Sequence, residues 1–377
     1  MQFQELNYPQ PMRRLTSFRD FDWMLLILVL LVSALSVLEI KSATLPTRFH
    51  DFDHKQFIFL LVGTGLMFLI SRIDYHRLVD LAPWAYGLGL LSLVAVKLVG
   101  TTVMGGKRWI NLGGGVHFQP SEWVKLILIL AIARYFWGLA GRELSWLDIG
   151  KAFALVCVPM AMVLIQPDLG TALTYFPILV VGLFLGGIRF RQVMVLFLGF
   201  SLLIGGAWMS GKRLKPYQMA RLTSFVDPGS DPRGAGYQIL QSKIAVGAGG
   251  LWGKGTNQGT QTQGDFLPIP YTDFIFAAFC EEHGFVGGMG ILILYLLILV
   301  RLIENAQQAS DVPGTFIVMG VAAVLLFQIV VNIGMVVGLM PVTGIPLPLM
   351  SYGGSSILFT FLALGIVMNI RMRRFVN

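Results

Sequence analysis

A chain of 377 residues is long enough for two or three soluble domains, but 55% of it is hydrophobic and only 13% is charged, about half the charged share of a soluble globule. The solvent for most of it is therefore lipid, and an ordinary cytosolic protein is excluded. The net charge of +8 does not describe a nucleic-acid surface, because the basic residues stand in short clusters between apolar runs, as in Met12-Arg13-Arg14 and Arg371-Met372-Arg373-Arg374, where they act as topology signals.

A helix needs about 20 apolar residues to cross a bilayer, and ten candidates follow in chain order: 22–40, 54–71, 81–99, 122–138, 150–165, 170–187, 191–209, 274–300, 314–339 and 347–370. The fold class expected is all-α, a polytopic membrane protein in which residues 1–377 form a single transmembrane domain. The first span is too long for a cleavable signal and lacks an A-x-A exit, so it is expected to remain as a signal anchor. With the N-terminus inside, the inner ends and loops carry fourteen basic residues between Arg13 and Arg374, against six in the short outer segments (Lys41, Arg48, Lys55, Lys97, Lys107 and Arg108). Ten spans then put both termini in the cytoplasm.

Between the third and fourth spans, 100–121 reads as a small outer loop, with Gly105-Gly106-Lys107-Arg108-Trp109 and Gly113-Gly114-Gly115. At the start of the fourth, Glu122 and Lys125 lie three apart on one helical face and can pair. Either the pair fixes helix packing, or Lys125 faces a polar cavity and neutralises a phosphate while Glu122 holds it. Gln166-Pro-Asp168-Leu-Gly-Thr171 breaks the fifth and sixth spans, and Pro-Asp before Gly is turn chemistry.

The one long polar interruption, 210–272, is expected as a large extracytoplasmic loop between the seventh and eighth spans. It holds seven basic residues, among them Arg221 and Lys243. Within it, 237–247 reads as a short amphipathic helix ended by glycine. Gly247-Ala-Gly-Gly-Leu-Trp-Gly253-Lys-Gly255 fails as a phosphate loop, since Lys254 is followed by Gly and no strand precedes it. The stretch 255–263 offers many uncharged hydrogen-bonding groups suited to sugar hydroxyls.

Asp273 follows Thr272 where this loop enters the eighth span. It can be an N-cap, or a partly desolvated carboxylate serving as general base for a sugar hydroxyl. Glu281, eight residues on, shares its face, so a paired-carboxylate site is conceivable. Gly284-x-x-x-Gly288 and Gly334-x-x-x-Gly338 read as helix-packing sites. Cys157 and Cys280 have no partner spacing, and the five histidines show no HxxxH or HExxH arrangement, which leaves disulfides and a histidine-built metal site without support.

Six motifs in order carry a resemblance that runs over nearly the whole chain: Arg108-Trp-Ile-Asn-Leu-Gly, Phe118-Gln-Pro-Ser-Glu-Trp-Val-Lys125, Gln166-Pro-Asp-Leu-Gly-Thr, Asp227-Pro-Gly-Ser-Asp-Pro-Arg-Gly-Ala-Gly-Tyr-Gln, Thr272-Asp-Phe-Ile-Phe and Pro346-Leu-Pro-Leu-Met-Ser-Tyr-Gly-Gly-Ser355. The chain resembles the SEDS proteins (shape, elongation, division and sporulation), and most closely their RodA branch. That resemblance implies a multi-pass glycosyltransferase of the bacterial inner membrane that polymerises lipid II into glycan strands, releases undecaprenyl pyrophosphate, and works beside a class B penicillin-binding protein within the elongation machinery. It implies Asp273 as the catalytic carboxylate, facing the extracytoplasmic side, and Glu122 and Lys125 as cavity residues. Arg108, Arg221 and Lys243 are further candidates for the pyrophosphate, with Thr272 beside the base. A divalent cation, Mg²⁺ or Mn²⁺, is expected, with Asp273 a possible ligand, and no organic cofactor. The family commonly has Leu-Pro-Glu-x-His before Thr-Asp, where this chain has Leu267-Pro-Ile-Pro-Tyr271. A lipid II flippase and a non-catalytic scaffold for the transpeptidase are the alternatives.

Overall fold

The computed structural model describes residues 20–47, 49, 51–103, 106–111, 113, 117–209, 216–232 and 234–375. Arg13, Arg14, Arg19 and Arg48 of the topology count, part of the glycine motifs at 105 and 114–115, and 210–215 at the start of the long loop lie outside the described residues.

The chain opens with α1 (Trp23–Thr44), α2 (Phe52–Ile70) and α3 (Tyr75–Val99). The Asp22 carboxylate caps α1 by accepting from the Leu25 N–H at 3.1 Å, meeting one of the donors that every helix start leaves free. The segment read as a loop at 100–121 is instead a small antiparallel sheet, β1 (Thr101–Val103), β2 (Gly106–Asn111) and β3 (His117–Phe118), in that order. Thr101 pairs with Trp109, and Ile110 with Phe118. The fold is therefore predominantly helical, with one small sheet added; the β-branched and aromatic residues between the glycines suit a pleated surface.

Next come α4 (Pro120–Trp137) and α5 (Trp146–Ile165), the latter started by a Ser145–Asp148 capping box. The expected span 170–187 is broken into α6 (Leu169–Leu173) and α7 (Phe176–Leu185). Pro177 lacks the N–H that a continuous helix would send back to Leu173, and the Thr174 hydroxyl turns back to the Thr171 carbonyl at 2.6 Å. Helix α8 (Phe190–Met209) leaves Phe190, Phe197, Phe200 and Leu202 largely exposed, a surface suited to lipid.

The segment 210–272 holds α9 (Pro216–Val226), a 3₁₀ turn at Pro228–Ser230, α10 (Ala235–Ala248) and the single turn α11 (Thr260–Gln263). The expected amphipathic helix at 237–247 is α10, which buries Gly236, Ile239, Ser242 and Ala245 on one face. The chain then enters α12 (Ile275–Gln307), α13 (Val312–Val336) and α14 (Gly354–Met372). Seven helices among the described residues are long and apolar enough to cross a membrane (α1, α2, α3, α5, α12, α13 and α14), with shorter apolar stretches at Leu169–Leu185 and Phe190–Leu202. Helix α4 carries Glu122, Lys125 and Arg134 along 18 residues. Helices α13 and α14 are the most enclosed and form the middle of the bundle.

Helix α12 is opened at Gly284, whose φ of 68° is not helical. The backbone groups freed there are met by the chain at 250–255. Lys254 and Gly255 N–H donate to the Glu281 and Glu282 carbonyls at 3.0 and 2.9 Å, and Phe285 and Val286 N–H donate to the Gly250 and Leu251 carbonyls at 2.9 and 3.1 Å. The opened turn is thus paired, as buried backbone must be.

One end of the bundle gathers charges. The Arg301 guanidinium lies 2.7 Å from Asp22 Oδ1 and that of Arg371 3.3 Å from Oδ2, while Asn305 Nδ2 donates to Oδ2 at 3.0 Å. Nearby, Arg373 meets Asp74 at 2.9 Å, and the Tyr75 hydroxyl donates to Asp311 at 2.7 Å. The start of α1, the α2–α3 turn, the α12–α13 turn and the end of α14 are tied together there. The site described next lies at the other end.

Candidate active site

Asp273 stands in the two-residue gap between the 210–272 segment and α12. Its backbone is fixed from three sides. Asn332 Nδ2, on α13, donates to the Asp273 carbonyl at 2.9 Å and to the Ile345 carbonyl at 2.8 Å. The Ser351 hydroxyl donates to the Thr272 carbonyl at 2.7 Å, and Tyr352 N–H to the Tyr271 carbonyl at 2.9 Å. Ile269-Pro270-Tyr271, where the family pattern has other residues, packs apolarly. Tyr271 is buried, and its ring meets Phe52 edge-on at 5.3 Å, while Phe52 stacks on Tyr352 at 4.1 Å.

The Asp273 carboxylate, by contrast, is held by charge rather than by hydrogen bonds among the described residues. Burial pushes its pKa up, the Arg221 and Arg108 guanidinium groups pull it down, and Asp168 pushes it up again, so that the carboxyl lies above its ordinary value. Four residues distant in sequence therefore share one electrostatic neighbourhood.

Each of the other three is positioned by its own element. Arg221, on α9, donates to the Thr343 carbonyl at 3.0 Å. Arg108, on β2, lies 3.1 Å from Asp168 Oδ1. Asp168 caps α6 by accepting from Thr171 N–H at 3.2 Å, and accepts from Gln119 Nε2 at 2.8 Å. The residue that reads as turn chemistry therefore also holds Arg108 in place. Gln119, which lies inside one of the six motifs, is a member of the network that sequence reasoning missed. The loop at 343–345 closes the group. A Cβ on Gly170 would lie 2.8 Å from the Thr343 carbonyl oxygen, so that glycine lets the loop pack on α6, and Gly344, at a φ of 72°, places the loop beside Asp273 Oδ2.

Glu122 and Lys125 form a 2.8 Å ion pair in which the lysine side chain has no exposed surface. Its Nζ lies 4.4 Å from the centre of the Phe359 ring. Tyr175, whose hydroxyl donates to the Ser121 carbonyl at 2.8 Å, lies near enough to sense the charges of both Glu122 and Asp168, which links the pair to the Arg108 network. The geometry is that of an enclosed pair. Lys243 is exposed, and its stem lies along Gly338; it is not among the groups that act on Asp273. Thr272 contributes its carbonyl to the anchoring. Glu281 does not pair with Asp273: it accepts from Gln261 and Thr262 N–H at 2.8 and 3.0 Å and from Lys254 Nζ at 3.0 Å, and so shapes the loop.

For a divalent cation, Asp273 offers a single carboxylate flanked by two guanidinium groups. That is not a ligand set by itself, and most of the oxygens would have to come from a substrate. A cleft of about 530 Å³ lined by Arg134, Arg142 and Lys151 lies at the far end of α4.

The sequence signature of the cell cycle proteins FtsW, RodA and SpoVE matches residues 21–375. The chain is 34% identical over 433 residues to peptidoglycan glycosyltransferase RodA of Treponema pallidum, covering 96% of this chain and 100% of that one. It is 39% identical over 318 residues to peptidoglycan glycosyltransferase MrdB of Escherichia coli K12, covering 84% of each. Among solved structures it is similar to a chain from a peptidoglycan synthase complex that coordinates polymerization and crosslinking, with a TM-score of 0.82, 34% identity, and 95% and 99% of the two chains covered. Signature, sequence and fold agree over nearly the whole length, and the chain belongs to the FtsW/RodA/SpoVE family.

Proposed function

We propose that this chain is a peptidoglycan glycosyltransferase that polymerises lipid II into glycan strands for cell elongation and shape. The relatives carry that activity in their names; the observation in this molecule that supports it is the convergence of Asp273, Arg108 and Arg221. The acceptor's GlcNAc 4-hydroxyl attacks the anomeric carbon of the donor MurNAc, and the α-linked undecaprenyl pyrophosphate departs with inversion. Asp273 takes the hydroxyl proton; its raised pKa makes it a better base than an ordinary carboxylate while the flanking arginines keep it ionisable. The same arginines supply fixed positive charge for the departing pyrophosphate, with Asp168 and Gln119 holding Arg108 in place. A Mg²⁺ or Mn²⁺ ion would take its oxygens mainly from the pyrophosphate and would neutralise the leaving group, while Asp273 stays free to act as base.

In this reading the chain crosses the inner membrane ten times, through α1 to α5, α6 with α7, α8, α12, α13 and α14. Both termini lie in the cytoplasm, and 210–272 and Asp273 face the extracytoplasmic side. The gathering of Arg301, Arg371 and Arg373 at one end supports this orientation. The partner is a class B penicillin-binding protein, and support comes from the similar chain in a synthase complex.

The test is polymer formation from labelled lipid II by the purified protein, with and without such a partner and with a divalent cation present. Wild type is expected to make polymer, and folded Asp273→Asn to lose it by about a hundredfold or more. Polymer from the variant would remove Asp273 as base. Lipid II translocation without polymer would favour a flippase.

A further inference from the structure

Three ligating side chains meet away from Asp273, beside the opened turn of α12: Glu39 of α1, and Glu282 and His283 of α12. One donor atom from each lies within 4.8 Å of the others. Glu39 is 2% exposed and Glu282 1%, yet neither oxygen of Glu39 meets a hydrogen-bond donor, nor does Oε2 of Glu282. His283 Nδ1 is 3.8 Å from Glu39 Oε2, and the ring stacks on Phe279 at 4.3 Å. Lys254, the lysine that reaches this turn, bonds to Glu281 instead. Two buried carboxylates thus face each other, with both Glu39 oxygens unbonded, Glu282 met by the Ser42 hydroxyl and the Asn257 N–H, and no lysine or arginine paired to either among the described residues, an arrangement that invites a positive charge.

We propose that Glu39, Glu282 and His283 bind a first-row divalent transition metal, such as Mn²⁺ or Zn²⁺, at a site separate from the polymerising centre. Two carboxylates and one imidazole suit those ions better than Mg²⁺, which prefers oxygen alone. Ligand atoms about 2.1 Å from a metal lie at most about 4.2 Å apart, so the group needs to close only slightly, and His283 Nδ1, which lies 3.3 Å from the Phe279 carbonyl oxygen, would exchange that contact for the ion. The surroundings hold Glu282 in place. The Ser42 hydroxyl bonds to Glu282 Oε1, and Gln263 Nε2 donates to the Ser42 carbonyl at 3.0 Å, which aims Glu282 Oε2 inward as outer partners do in metal sites. A bound ion would pin together α1, α12 and the 250–263 segment. The inference stands independently of the proposed polymerisation.

The test uses the full chain in detergent, stripped with chelator and titrated with Mn²⁺ or Zn²⁺. Metal content, thermal unfolding and Mn²⁺ electron spin resonance are read. One equivalent should bind to wild type and to Asp273→Asn, should raise the unfolding temperature, and should show coupling to one nitrogen. Glu39→Gln and His283→Leu should each weaken binding by about tenfold or more, and His283→Leu should lose the nitrogen coupling. If Glu39→Gln fails to fold, the coupling in wild type and its loss in His283→Leu decide. No retained metal, unchanged binding in His283→Leu, or loss of binding in Asp273→Asn would overturn the proposal; in the first case the two carboxylates share a proton.

Discussion

Asp273 combines a backbone tied down by Asn332, Ser351 and Tyr352 with a carboxylate left to charge alone. Its titration should therefore answer to its charged neighbours with opposite signs. A base works deprotonated, so with Asp273 as the proposed base the acid limb of kcat/KM is expected above the ordinary carboxylate value. Arg221→Gln removes a charge that favours the ionised form and should move the limb up; Asp168→Asn removes one that disfavours it and should move the limb down. A pH profile in which both variants shift the same way, or neither shifts, would contradict this electrostatic account. That Asp273, Arg108 and Arg221 would be candidates was legible because each stands in or beside a motif, and the structure brings the three together. The part played by Asp168 was not, since a Pro-Asp-x-Gly turn looks the same whether or not its carboxylate also holds an arginine 60 residues away. Lys243 stands apart from the groups that act on Asp273 for the converse reason: a cation in the right loop says nothing of where the loop puts it.

Helices were readable from apolar run length, because a bilayer demands it, and seven of the expected spans coincide with helices long and apolar enough to cross one among the described residues. Boundaries and interruptions were less so. Pro177 was visible inside 170–187, but an isolated proline either kinks or breaks a helix according to what satisfies the freed groups. The sheet at 101–118 was hidden by its glycines. Gly284 was read as a packing glycine, yet its φ of 68° and the close approach of Gly253 and Leu251 show that it is there for the opened turn. Gly284→Ala should cost about 1–3 kcal/mol, seen as a lowered unfolding temperature and as faster hydrogen exchange at the Lys254 and Gly255 amides. Gly288→Ala, in continuous helix, leaves those two amides protected. Equal exchange in the two variants would argue against a paired turn.

Across the whole molecule, the charges that the hydropathy pattern places between spans are sorted to the two ends, a structural knot at Asp22 and the proposed base at Asp273. Burial acts against the Asp22 carboxylate, but bonds from Arg301, the Leu25 N–H and Asn305 and the charge of Arg371 outweigh it and hold its pKa below the usual value. A depressed folded pKa contributes stability that is present above about pH 4 and is lost as pH falls through the folded value. Wild type should therefore lose unfolding temperature below about pH 4, and Asp22→Ala, which strands two arginines, should cost about 3 kcal/mol at neutral pH and flatten that acid limb. An unchanged pH slope in the variant would remove the knot as its source. The knot also has a consequence in time. Arg301 is made 279 residues after Asp22, and Arg371 later still, so the first helix enters the membrane with an acid whose counter-charges do not yet exist. Until the last helices arrive, that acid has to be met by water at the membrane edge, and the closing of α12 and α14 onto α1 is the step that buries and pairs it.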